Sequence, residues 1–151
     1  MTAIVFDPAF IERVSSARPA EMTAMLLEEA VRALKESINA IHDGAIEARY
    51  MASARAMKVV GFLHETLNFE DGGDVALNLD KIYRIAMARI TRINPFNDAE
   101  AAYAAINVLR PQAEAWRELD QQEQLLGGMP AITTAPHVAA NMIGPMPMHA
   151  S

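Results

Sequence analysis

Leu67 to Asp98 reads LNFEDGGDVALNLDKIYRIAMARITRINPFND, one run that holds a turn, a whole helix and the start signal of the next. Asp74, after the Gly72-Gly73 pair, is the expected N-cap. Its carboxylate can accept the free amide hydrogens of a first helical turn, while the glycines permit a tight reversal. Val75, Leu79, Ile82, Ala86, Ile90 and Ile93 then recur at three- and four-residue steps, which places them on one face of a helix with about 3.6 residues per turn. Pro95 lacks an amide hydrogen and disfavours a helical Asn94, so the helix is expected to stop there. Asn97 with Glu100 reads as a polar capping pair that opens the following helix.

The rest of the 151-residue chain fits this pattern and is long enough for one domain with its own core. Hydrophobic residues make up 52% but aromatics only 6%, and Ala, Met, Leu, Glu and Arg outweigh Val and Thr, so an all-α fold is expected. The net charge of -6, with both signs interspersed, argues against a nucleic-acid partner. With no cysteine there are no disulfides or thiolate metal ligands. Neither a signal peptide nor an apolar run near ~18 residues is visible, which leads to the expectation of a cytoplasmic protein without a membrane span.

Residues 1–18 carry Ile4, Val5, Phe6 and Phe10 beside Pro8 and read either as an apolar arm or as a short helix from Asp7 packed on the domain. Residues 19–126 are expected to form the helical domain. Pro19 suits the first position of a helix that runs to about His42, with Met22, Met25, Leu26, Ala30, Ala33, Leu34, Ile38 and Ile41 inward. Asp43-Gly44 breaks it. The next helix, about Ala45 to Leu67, shows two stripes. Ile46, Tyr50, Met57, Val60 and Leu67 are expected to face the core. Ala52, Ala56, Val59 and Leu63 form a second stripe, open to two readings: a binding groove, or alanines that are simply good helix formers beside core-flanking Val59 and Leu63. Leu77, Lys81 and Ile85 lie off the main stripe of the third helix and could form a groove wall. A fourth helix, about Asp98 to Leu125, has Tyr103, Ile106, Leu109, Trp116 and Leu119 as apolar positions, with a kink or break expected at Pro111. Residues 127–151, GGMPAITTAPHVAANMIGPMPMHAS from Gly127 to Ser151, lack periodicity and read as a disordered tail. Four helices joined by short connections predict an antiparallel up-down four-helix bundle.

No catalytic layout is present, so no catalytic residue, cofactor or metal is expected. His42 follows Asn39 and His64 follows Gly61 at the spacing where a helical dimetal site needs glutamate. His64 is expected to be a hydrogen-bonded structural group, and His42 to sit at a helix C-terminus. The pairs Glu28-Glu29 and Glu70-Asp71 read as solvated charge, and Gly72-Gly73 lacks the lysine of a phosphate loop. Ten methionines suit adaptable apolar surfaces as well as core filling.

Four segments together resemble the flagellar export chaperone family FliS. They are SARPAEMTAMLLEEAV at Ser16 to Val31, LNFEDGGDVALNLDKIY at Leu67 to Tyr83, INPFND at Ile93 to Asp98, and LRPQAEAWRE at Leu109 to Glu118. The resemblance spans roughly Phe10 to Leu119. It departs at Arg18, where the family pattern has serine, at Leu27-Glu28-Glu29, and in the Met/Pro-rich tail. It implies a cytoplasmic, non-enzymatic chaperone. Such a chaperone binds the disordered C-terminal segment of flagellin, prevents premature polymerisation and delivers it to the type III export apparatus, with the export gate and other flagellar regulators as further partners. It also implies an N-terminal arm that covers part of the hydrophobic surface when no client is bound. On helical geometry, Ala52, Ala56, Val59, Leu63, Leu77, Lys81 and Ile85 are the groove candidates, and Ile4, Val5, Phe6 and Phe10 the arm. The competing expectation is a homo-oligomeric adaptor or structural bundle, a homodimer through the second stripe of the second helix.

Overall fold

The computed structural model describes residues 6–127. Ile4 and Val5 of the expected arm and the tail from 128 to 151 lie outside the described residues. Among the described residues every regular element is helical: α1 (Pro8–Ser16), α2 (Pro19–Asp43), α3 (Ile46–Glu65), α4 (Phe69–Ile90), α5 (Ile93–Phe96) and α6 (Ala99–Leu125). The spine is α2, which packs along both α3 and α6. On the other side α4 packs against the same two helices, α1 rests on α2, and the single turn α5 touches α3 and α6. Leu27, Leu34, Val60, Tyr83, Ile93 and Leu109 are fully buried between them. Each large apolar side chain removed from water contributes roughly 1.5–3 kcal/mol.

The boundaries of α2 follow from Pro19 in the first turn and from Gly44, whose φ of 68° closes the helix in the left-handed region that glycine tolerates. Arg18, an unusual residue at an N-cap, supplies half of a capping box. Its backbone N–H donates to Glu21 Oε1 at 3.4 Å, but a guanidinium has no acceptor to return to the helix.

The opening stretch needs four corrections. First, α4 begins at Phe69, before Asp74, because Asn68 caps it by accepting from the Asp71 amide at 3.1 Å. Gly73, with φ 52° and ψ -129°, then breaks the helical path just before Asp74. Second, Leu79, Ala86, Ile90 and Ile93 of the expected stripe are buried, but Val75 is exposed and Ile82 half-buried, and Ala76 and Tyr83 complete the inward face in their place. Third, α4 ends at Ile90 and Pro95 lies inside α5. The missing N–H of Pro95 costs little there, since a first turn has no helical acceptor for it. Fourth, the cap of α6 is Asp98, which accepts from the Ala101 amide at 2.9 Å, while Asn97 takes a left-handed turn with φ 51°.

Two more corrections concern α3 and α6. Ile46 and Tyr50 are exposed, Met57 and Leu67 half-buried, and of the expected core stripe only Val60 is fully covered. Ala52, Ala56, Val59 and Leu63 are the inward face instead. Small side chains let a neighbouring helix approach closely, and the alanine stripe takes the contact arc that bulkier residues would hold apart. In α6 the helix runs unbroken through Pro111, and Tyr103 is exposed while Ile106, Leu109, Trp116 and Leu119 are buried.

Candidate functional site

An apolar groove lies where α1 crosses α2 and α3. Asp7 caps α1 by accepting from the Ala9 amide at 3.1 Å, and Pro8 occupies the first position, so nine residues form a helix that propensity alone would leave marginal. Two side chains, Phe10 and Val14, are buried by it. Phe6 stacks on Phe10 with ring centroids 6.1 Å apart, and the Arg13 guanidinium lies 6.0 Å over the Phe10 ring. Of the two readings of the N-terminal segment, the packed helix from Asp7 is the one seen. Phe6, Phe10 and Val14 line one side of the groove, Leu26 its floor, and Met57, Val59 and Phe62 the other side, with Lys58 and Glu65 at the rim; the space is about 610 Å³.

Leu77 and Ile85, 52% and 48% exposed, stand on the outer face of α4 with exposed Lys81 between them. These three sit where their spacing placed them. Ala52, Ala56, Val59 and Leu63, candidates for the same groove, are instead core side chains, and of these only Val59 also reaches the groove under α1. Leu26, Met57 and Phe62 were missed as lining residues. Their only signal is the apolar content of α2 and α3, which core positions share.

The charged side chains act as staples between helices. Buried Glu29 of α2 accepts from Arg32 and from Arg55 Nε of α3 at 3.1 Å, and Arg55 also reaches Glu36 at 2.7 Å. The Arg117 guanidinium of α6 grips Glu28 through two bonds of 3.0 and 2.7 Å. His64 Nε2 lies 2.6 Å from Asp80 Oδ1, joining α3 to α4, so the expected structural histidine is seen. That bond first, and Arg84 second, holds the Asp80 carboxyl below its ordinary range. Arg49 and Ser53 of α3 meet Asn94 of α5 at 3.2 and 2.8 Å.

At the far end of α6, Asp120 is completely buried. It accepts from Arg18 at 2.6 Å, from Gln124 at 2.9 Å and more weakly from Arg117 at 3.4 Å. Beside it, Glu123 is buried with no protein donor to its Oε2. Burial, reinforced by the charge of Asp120, pushes its carboxyl upward. Among the described residues no cluster of three or more His, Asp or Glu side chains could hold a metal ion. Nor is any described helix long and apolar enough to cross a membrane.

A surface of apolar side chains is of the kind that receives an apolar segment. The profile of the family described as Flagellar protein FliS matches residues 10–123. The flagellar secretion chaperone FliS of Vibrio cholerae is 30% identical over 107 residues, covering 71% of this chain and 79% of that protein. Its namesake in Salmonella typhimurium is 31% identical over 107 residues, with 70% and 79% covered. The flagellar secretion chaperone FliSB of Pseudomonas aeruginosa is 30% identical over 86 residues, with 57% and 68% covered. These relatives are named as chaperones, a non-enzymatic family. With a profile match over most of its helices and relatives of this similarity, the chain belongs to the FliS family of flagellar secretion chaperones.

Proposed function

We propose that this protein is a cytoplasmic chaperone of flagellin: it binds the C-terminal segment of flagellin, keeps it from polymerising prematurely and delivers it to the flagellar type III export apparatus. Residues 19–126 form the chaperone domain, an antiparallel four-helix bundle, with residues 1–18 as its N-terminal apolar arm. The observation that carries this reading is the pairing of family membership with apolar surface in excess of what the core uses. Leu77 and Ile85 are half exposed on α4, and the groove under α1 is lined almost wholly by apolar side chains. A client segment that is disordered when free would gain affinity from apolar burial and lose part of it to its own ordering.

The test is co-purification of this protein with full-length flagellin and with flagellin lacking its C-terminal segment. Retention of the first alone is expected; equal retention of both sinks the mechanism. Because Val59 and Leu63 are core residues, aspartate there would unfold α3 and say nothing about binding. Leu77→Asp and Ile85→Asp are the informative changes. Each should weaken flagellin retention at least tenfold while the far-ultraviolet circular dichroism stays unchanged, and undiminished retention removes the α4 face from the binding surface.

A further inference from the structure

The family match ends at residue 123, and the chain continues for residues 128–151 beyond the described helices without one Asp, Glu, Lys or Arg. Every Asp, Glu, Lys and Arg side chain of the sequence lies before it. The segment does carry apolar side chains, Met129, Ile132, Val138, Met142 and Ile143 among them, and its prolines disfavour a continuous helix. Such a stretch gives up no ionic hydration on entering an apolar surface.

It also starts in the right place. Asp120, within the last two turns of α6, is bonded at 2.6 Å to Arg18, and Arg18 follows Val14 of the groove by about one helical turn. Leu125 and Leu126, 87% and 51% exposed, lead from α6 toward the tail. From Gly127 the remaining residues reach up to about 80 Å when extended, against about 40 Å for the whole of α6. We propose that the C-terminal tail of this chain, centred on Met142 and Ile143, docks in the apolar groove between α1, α2 and α3. It is then a built-in occupant of that groove. Where the groove also seats flagellin, tail and client compete; that consequence rests on the function proposed above, whereas docking itself does not.

The absence of cysteine makes a direct test possible in the full-length chain. A nitroxide on Met142→Cys should reduce the nuclear magnetic resonance signals of Ile11, Met57 and Phe62 by more than half. Those of Ile46 and Phe96 should keep their intensity, since Ile46 lies about 24 Å from Phe62 along the α3 axis. Adding Ile143→Asp should restore the groove signals. The proposal is overturned by no loss in the groove, by loss centred on Leu77 and Ile85, or by loss that survives Ile143→Asp. Two further outcomes overturn it. If the loss occurs only between labelled and unlabelled chains, a second copy is the occupant. If a label on Thr2→Cys produces the loss and one on Met142→Cys does not, the first five residues fill the groove. Flagellin retention without tail contact would leave the chaperone reading standing and this one overturned; tail contact without flagellin retention would do the reverse.

Discussion

Asp120 shows what a single side chain does in this fold. A fully buried carboxylate is tolerable only with donors around it, and Arg18, Gln124 and Arg117 supply them. Arg18→Ala removes the shortest of these bonds and leaves a partly unpaired buried charge, which should cost about 2 kcal/mol in urea unfolding. A loss no larger than that of an ordinary surface alanine would show that Gln124 and Arg117 suffice. Glu123, one turn on, has the opposite character. A carboxyl raised above its ordinary 4.5 binds its proton more tightly in the folded chain than in the unfolded one. It therefore contributes stability below that value, and the contribution is lost as pH rises through its folded pKa. Glu123→Gln should accordingly stabilise the protein at neutral pH and flatten the decline above pH 4.5, measured as unfolding midpoints across pH. A steeper decline would contradict the sign. Asp80 runs the other way: its lowered carboxyl contributes stability above its ordinary 3.8, lost as pH falls through its folded value.

Among the elements, α4 shows most clearly where a sequence stops being informative. Its existence was legible from the apolar period, but its rotation was not, since Val75 and Ala76 are both apolar and either can begin a stripe. Packing against α3 and α6 kept Leu79 and selected Ala76 and Tyr83 over Val75 and Ile82. Its start was ambiguous for a similar reason, because Asn68 and Asp74 are equally good cap residue types; Asn68 supplies the cap, and Asp74 follows the Gly73 break without capping. Gly73 adopts a conformation reserved for glycine, yet nothing lies within 4 Å of a Cβ added there. Gly73→Ala should thus cost about 1–3 kcal/mol through backbone strain alone. A neutral result in thermal unfolding would mean that the break can relax. By contrast α2 was read almost to the residue, because Pro19 and Gly44 bracket it with unambiguous backbone chemistry.

At the scale of the whole molecule, the all-α class and the choice of inward residues on α2 were legible, and most of the candidate surface was not. The second stripe of α3 turned inward, with Val60 alone of the expected core stripe fully covered, because which arc is inward depends on where α2 and α4 lie, a property of no single helix. Staples such as Arg18 to Asp120 join residues far apart in the chain and leave no local signal. Yet that staple has a mechanical consequence. Arg18 sits at the elbow between α1 and α2 and is pinned to α6, while α1 beyond it is held chiefly by Phe10 and Val14. A load applied to the N-terminus should peel α1 from its seat and then meet the pin. In a single-molecule pulling experiment with handles at residue 6 and in α6, a small low-force extension should precede the main rupture, and Arg18→Ala should merge the two events. The elbow thus works as a shear pin, passing the load from α1 directly into α6 and sparing α3, α4 and α5 until it fails.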